Sequence, residues 1–252
     1  MYIRWQLART LPKAYKFYGV SESCLDAVDR NWRKQPELFS VIKNGVLFPE
    51  LIQDQKTARS TLGLPLDRPC VLHIGSFKYQ KNHLGLLRIH RYLLEHHPDA
   101  LLVLVGSGSL RREIEAEVHS SNLENSVVFM GEQRDVWPFY AAADTFLLPS
   151  FFEGMPNVLI EALGAGVPIV ASRIPEHCEI VPHSQWDFLF PLPEYKQAAA
   201  MIASRLTAPR SADRTNFGTG NTIREAFSME SHINALESLY SGCSRRNPGI
   251  AA

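Results

Sequence analysis

Between Asp144 and Ala171 the chain reads DTFLLPSFFEGMPNVLIEALGAGVPIVA. Thr145–Pro149 is an apolar run short enough for a buried strand. Ser150–Pro156 is a turn carrying one carboxylate, Glu153. Asn157–Ala165 is a short helix carrying a second, Glu161, among Val158, Leu159, Ile160, Ala162 and Leu163. Gly166-Val167-Pro168 stops that helix, and Ile169–Ala171 starts another strand. Strand, loop, helix and strand make a βαβ unit. Its loop lies at the carboxyl end of a parallel strand, where open α/β sheets bind ligands.

The same rhythm runs through the middle of the chain. Strands are expected at Val71–Ile74, Ala100–Val105 and Val127–Met130, with helices at 83–96, Leu110–Ser120 and Val136–Ala143. In the helix at 83–96, Leu84, Leu87 and Leu94 mark the buried face. Strands separated by helices at this spacing specify α/β architecture, a Rossmann-like doubly wound parallel sheet. Its loops, Gly75–Asn82, Gly106-Ser107-Gly108, Gly131–Asp135 and Ser150–Pro156, then converge on one edge.

The flanks are less regular. Residues 1–16 suggest a helix, Phe17–Val20 a strand, and Ser21 a cap for a helix from Glu22 to about Asn31. Val41-Ile42 reads as a strand closed by a turn at Asn44-Gly45. Residues 46–69, with Pro49, Pro65 and Pro69, read as a linker holding a helix at 51–61. Glu179-Ile180-Val181 suggests an edge strand and Asp187–Leu192 a short strand or turn. A helix at 195–206, a loop at 208–221, a helix over Phe227–Tyr240 and a disordered tail complete the chain.

At 252 residues, with 45% apolar and 21% charged residues, the chain can bury a full core. Lys and Arg balance Asp and Glu at 26 each, which gives no sign of a nucleic-acid binder. Cys24, Cys70, Cys178 and Cys243 have neither metal-knuckle nor redox spacing, so no metal site is expected and a reduced, cytoplasmic compartment is. The N-terminus lacks an apolar signal core. Its amphipathic character allows at most peripheral contact with the inner face of a membrane.

Glu161 sits among apolar and small residues. A carboxylate there needs a partner, because burying it alone is costly, and the hydroxyls of a sugar or ribose would serve. Glu153 precedes Pro156, which suits a first helical position. The N–H groups near Met155, Asn157 and Val158 suit a phosphate. An acid beside such a site makes most sense against a neutral, hydroxyl-rich part of the ligand. Lys81 or Lys78 is placed to reach an anion. Gly106 and Gly108 permit close backbone approach but form no full dinucleotide fingerprint. His73 reads as structural, and His83 stays open between the two roles.

With both glutamates placed, Glu153-Gly154-Met155-Pro156-Asn157-Val158-Leu159-Ile160-Glu161 resembles the Glu-x7-Glu motif of family 4 retaining glycosyltransferases, which have the GT-B fold. GSFKYQKNH at 75–83 resembles the family's phosphate loop, and LLVLVGSGSLRREIE at 101–115 its strand, glycine turn and helix. VVFMGEQRDVWPFYAAADTFLLPS at 127–150 resembles the approach to the motif, and FSMESHINALESLY the closing helix.

The resemblance implies transfer of a sugar from a nucleotide-sugar donor, UDP- or GDP-linked, to a saccharide or lipid-linked acceptor. Anomeric configuration is retained, in polysaccharide biosynthesis, without a metal or other cofactor. Glu161 would hold the ribose hydroxyls and Glu153 the donor-sugar hydroxyls. The Gly154–Val158 backbone, through Met155, Pro156 and Asn157, would approach the diphosphate and sugar. Lys81 would neutralise the diphosphate as it leaves, making Lys81 and Glu153 the catalytic pair. Gly75 and Ser76 open the phosphate loop, and Gln133 and Arg134 lie near the base.

Two features depart from the family. Its phosphate-loop arginine is Ser76 here, and one such electrostatic donor is worth about 3 kcal/mol of transition-state stabilisation. The likeness also covers only the end of a first domain, expected over 1–50, and a donor-binding domain over 51–240, with the tail at 241–252. On that division Trp5, Leu11, Phe17 and Phe48 are candidates for exposed apolar surface, available to a protein partner or to self-association. The alternatives are a non-catalytic nucleotide-sugar-binding module, an inactive fragment, and a donor hydrolase. Hydride transfer is disfavoured, since no glycine fingerprint follows the first strand.

Overall fold

The structure is a computed structural model that describes residues 16–29, 31–34, 36–207 and 218–244. The chain separates into two compact units. One comprises residues 1–47 with 224–252, the other 48–223. The expected helix over 1–16 falls almost wholly outside the described residues.

In the first unit, strand β1 (Phe17–Gly19) is followed by helix α1 (Glu22–Val28) and by β2 (Phe39–Val41), which pairs with β1 in parallel. The Ser21 side chain accepts from Cys24 N–H at 3.1 Å, the cap expected. The helix ends at Asp29, whose N–H returns to Leu25 O, so it is shorter than its sequence suggests. Asn44-Gly45 makes no turn. Residues 42–45 continue past β2, and Val46 bridges to Ser228. Gly45 is needed for close packing instead: a Cβ there would come within 2.7 Å of His232 Cβ. Phe17 is half-buried, stacked on Phe39 at 5.5 Å, rather than exposed.

The second unit opens with helix α2 (Gln55–Leu62), capped by Asp54 and ended by Gly63 in the left-handed region. Residues 46–69 are therefore more than a linker. Arg59 of this helix is almost fully buried. Its guanidinium donates to Ala142 O at 2.9 Å, to Leu66 O at 2.9 Å, to Arg68 O at 3.0 Å, and to Asp144 Oδ2 at 2.7 Å. Asp144 also accepts from Cys70 N–H at 2.8 Å and from Gln55 Nε2 at 2.9 Å. The helix is thus bonded to the start of two strands. Phe48 is likewise half-buried, with its ring 5.9 Å from that of Trp137.

The remaining elements follow in order. They are β3 (Cys70–Ile74), α3 (His83–Leu94), β4 (Leu101–Val105), α4 (Arg111–Ser120), β5 (Val127–Gly131), α5 (Trp137–Ala142), β6 (Thr145–Leu148), α6 (Asn157–Gly164), β7 (Ile169–Ser172), the short α7 (Pro175–Cys178), β8 (Leu189–Phe190) and α8 (Tyr195–Thr207). Six strands form one sheet, ordered β5-β4-β3-β6-β7-β8, and every pair is parallel. The Rossmann-like α/β class is as expected. Val71, Leu102, Leu104, Leu147 and Val170 join Leu86, Ile89 and Leu93 of α3 and Ala198, Ala199 and Ile202 of α8 in one core. Leu84 lies outside it, 40% exposed, because the helix turns Leu86, Ile89 and Leu93 inward.

Three further expectations shift. Residues 179–181 form no strand: they follow α7 in a turn, with Ile180 and Val181 buried. Within 208–221, residues 208–217 lie outside the described part, and a helix, α9 (Gly218–Ala226), replaces the end of the loop. The last helix, α10, runs Met229–Ser244, so residues 241–244 are helical rather than part of a disordered tail. The rest of that tail lies outside the described residues.

From β3 the chain proceeds outward through β4 to β5, then returns to place β6 on the other side of β3. The loops after β3 and β6 therefore diverge at the point where strand order reverses. That point is where such sheets leave a crevice for ligands.

Candidate functional site

The β3 loop holds Gly75, Ser76, Lys78 and Lys81, and the β6 loop holds Glu153. Several bonds join the two loops. Asn82 Nδ2 donates to Pro149 O at 3.0 Å, and Phe151 N–H to Gln80 O at 2.9 Å. The rings of Tyr79 and Phe151 stack at 4.9 Å. Lys81 Nζ lies 2.7 Å from Glu153 Oε1, with the two side chains only 11% and 5% exposed. Gly75 makes room for this lysine: a Cβ there would sit 3.3 Å from Lys81 Cδ and Cε.

Two residues not anticipated from sequence complete the setting of Glu153. Gln80 Nε2 donates to Oε2 at 2.7 Å, and Ser150 Oγ to Oε1 at 2.6 Å. Behind them, the Ser150 carbonyl accepts from Ser172 Oγ at 2.6 Å, and the Ser172 carbonyl lies 2.7 Å from His177 Nδ1. A carbonyl only accepts, so His177 carries its proton on Nδ1. Burial lowers the His177 pKa to about 4, and the imidazole is neutral at neutral pH.

Two more buried histidines stand beside Lys81. His73 Nδ1 donates to Leu147 O at 2.9 Å, and burial holds its pKa well below the usual value. His83 stacks on Phe77 at 4.1 Å and lies edge-on to His73 at 5.0 Å; burial, then the charge of Lys81, lowers it to about 4. Both pack beneath the β3 loop, next to Lys81. Lys78 is exposed and Ser76 half-buried.

Glu161 sits one turn into α6, whose first intrahelical bond runs from Leu159 N–H to Pro156 O at 3.0 Å. Pro156 is the residue before the helix rather than its first residue. The amino end of α6, carrying Gly154, Met155, Pro156, Asn157 and Val158, opens on the same sheet edge as the Lys81–Glu153 pair. The Glu161 pKa is raised by burial, and a hydrogen bond from Tyr140 opposes that shift. Tyr140 OH is 2.8 Å from Glu161 Oε2 and 3.0 Å from Val158 O. Tyr140 is fully buried and was not singled out by its sequence context.

The glycines after β4 serve the neighbouring loop. A Cβ on Gly106 would lie 2.1 Å from Gly75 O, and one on Gly108 2.7 Å from Phe77 N and O. Phe77 N–H donates to Ser107 O at 2.9 Å. The β4 loop therefore presses against the β3 loop and fixes it. Gln133 and Arg134, after β5, are exposed on the same edge, and Gln133 Nε2 donates to Met130 O at 2.7 Å. Among the described residues no group of three or more His, Cys, Asp or Glu is placed to hold a metal ion, and no helix is long and apolar enough to cross a membrane.

Known proteins resemble this chain in sequence and in fold. EpsF of Bacillus subtilis (strain 168) is 34% identical over 139 residues, 54% of this chain and 36% of that protein. The UDP-Gal:alpha-D-GlcNAc-diphosphoundecaprenol alpha-1,3-galactosyltransferase of Escherichia coli is 27% identical over 211 residues, 81% of this chain and 54% of that protein. The chain thus spans about half the length, or less, of these curated relatives. The crystal structure of Anabaena HepE in complex with UDP and glucose has a similar fold. Its TM-score is 0.78 at 22% identity, covering 95% of this chain and 66% of that one. Residues 54–221, which include the whole edge just described, match the family of glycosyl transferases group 1, and this protein is a member of that family.

Proposed function

We propose that the crevice between the β3 and β6 loops is the donor site of a family 4 glycosyltransferase with a GT-B fold. It takes a nucleotide sugar for transfer, with retention, to a saccharide or lipid-linked acceptor in polysaccharide biosynthesis. The observation that carries this reading is the meeting of Lys81 and Glu153 at the reversal of strand order, with Glu161 on the helix that starts at the same edge.

Each group then has a chemical task. Glu161 accepts hydrogen bonds from the ribose hydroxyls, and Glu153 from the hydroxyls of the sugar. The Gly154–Val158 backbone and the amino end of α6 offer N–H dipoles to the diphosphate. Lys81 stabilises the charge that grows on the diphosphate as the sugar departs. Gly75 and Ser76 line the phosphate loop, and Gln133 and Arg134 flank the base. HepE was crystallised with UDP, and the E. coli relative is named for UDP-Gal, so a UDP-sugar is the first donor to test and a GDP-sugar the second. We place this work in the cytoplasm, with the acceptor side supplied by surfaces other than this edge.

Ser76 favours a second reading. With serine where family members carry arginine, the phosphate loop has one cation fewer. The chain would then be a nucleotide-sugar-binding module with little transfer activity. Calorimetry with UDP and GDP tests the binding both readings share. Wild type should bind at least one of them, and Glu161→Ala should lose most of the heat. Equal heats in the two proteins would remove the site. Radiolabel transfer from a UDP-sugar to lipid-linked acceptors separates the readings.

A further inference from the structure

We propose that the pairing of Glu153 with Lys81 makes the site favour a nucleoside diphosphate carrying a sugar over the bare diphosphate. The inference rests on the donor-site reading above and concerns how that site discriminates.

The ammonium of Lys81 is not waiting for an anion. It is already 2.7 Å from a carboxylate, in a pair largely closed to water. The carboxylate is also held in place. Ser150 Oγ binds the same oxygen as Lys81 and Gln80 Nε2 binds the other, while the Gln80 main-chain carbonyl accepts from Phe151 N–H. Moving Glu153 aside for a second anion would break these three bonds at once. A bare diphosphate that reaches Lys81 brings its charge against a fixed negative charge, and like charges at close range are costly where water is scarce.

A sugar on the diphosphate changes the exchange. Its hydroxyls are donors, so they replace the lysine's N–H on Glu153 Oε1. The carboxylate keeps its hydrogen bonds, and Lys81 turns to the phosphate. Sugar and diphosphate are thus bound together or poorly. Once the sugar is gone, Glu153 recovers Lys81 and the diphosphate loses its cation. Ser76 sharpens the effect, since a second cation in the loop would hold the diphosphate regardless.

Calorimetry on the full chain tests this with UDP and GDP as probes, using wild type, Glu153→Gln, Lys81→Met and the double variant. Glutamine keeps the shape and removes the charge; Glu153→Ala serves if the glutamine variant does not fold. Glu153→Gln should bind the preferred diphosphate about tenfold more tightly than wild type, the size expected from removing one nearby like charge. Lys81→Met should bind it more weakly than wild type, and the double variant should regain little. Binding by wild type that is equal or weaker in Glu153→Gln overturns the proposal and leaves the donor site standing. No binding by either protein removes both.

Discussion

Tyr140 donates its phenolic hydrogen toward Glu161 Oε2 at 2.8 Å, so α5 sets the orientation of a carboxylate on α6. The tyrosine is fully buried, with its ring 5.7 Å from those of both Phe146 and Trp137. Phenylalanine would keep this packing and remove only the hydroxyl. Tyr140→Phe should therefore fold normally and bind UDP more weakly, by up to about 1.5–3 kcal/mol, the range for a lost hydrogen bond to a charged partner. The weakening should be smaller for the 2′-deoxynucleotide, which presents one hydroxyl fewer. Equal losses for the two nucleotides would dissociate Tyr140 from ribose reading.

The same pair gives a pH dependence. Burial raises the Glu161 pKa above the ordinary carboxylate value, and the Tyr140 hydrogen bond pulls it back down. Ribose hydroxyls donate to the ionised form, so nucleotide affinity should fall as pH drops through that raised pKa. Removing the phenol removes the opposing influence, and the acidic limb should move to higher pH in Tyr140→Phe. The measurement is UDP affinity from neutral pH down into the carboxylate range; an unmoved limb would count against the pairing.

Stability should also depend on pH, for a different reason. His83, His90 and His177 are buried, and burial holds each at about 4 against an ordinary imidazole value of 6.5. Above pH 6.5 all three are neutral whether folded or unfolded. Below it the unfolded chain takes up protons that the folded chain refuses, and stability is lost down to about pH 4. Each histidine contributes up to about 3 kcal/mol to that loss. Urea midpoints should fall steeply across this window, and His90→Phe, far from the crevice, should flatten the slope. A midpoint constant from pH 7 to 5 would contradict the burial.

Arg59 and Asp144 pair at 2.7 Å with hardly any exposure, and the guanidinium also serves three or more carbonyls. Arg59→Met would leave a buried aspartate short of its cation and should cost about 3–5 kcal/mol. The double variant Arg59→Met, Asp144→Asn should recover part of it. Urea denaturation measures both; a loss below 1 kcal/mol for the single change would show that water reaches the pair.

Much of this was legible in the chain. The strands β3, β4, β6 and β7 are short apolar runs closed by glycine, proline or serine, and their period needs no tertiary information. Glu153 and Glu161 stand out in the sequence as acids in an apolar, glycine-rich setting, and Lys81 as a cation in a loop between a strand and a helix. Long-range partners were not legible. Gln80 meets Glu153 from 73 positions away and Tyr140 meets Glu161 from 21, with nothing local to mark either. The residues 46–69 read as a linker because Arg59 looks solvated until Asp144 is brought beside it. Asn44-Gly45 has turn chemistry, yet its glycine is explained by the approach of His232.

The central claim is that two carboxylates on one edge divide a nucleotide sugar between them. The most direct test is a crystal structure of the chain soaked with a UDP-sugar or GDP-sugar. The account predicts ribose hydroxyls on Glu161, sugar hydroxyls on Glu153, and the diphosphate between Lys81 and the amino end of α6. A nucleotide bound away from the β3 and β6 loops, or with its ribose out of reach of Glu161, would contradict it.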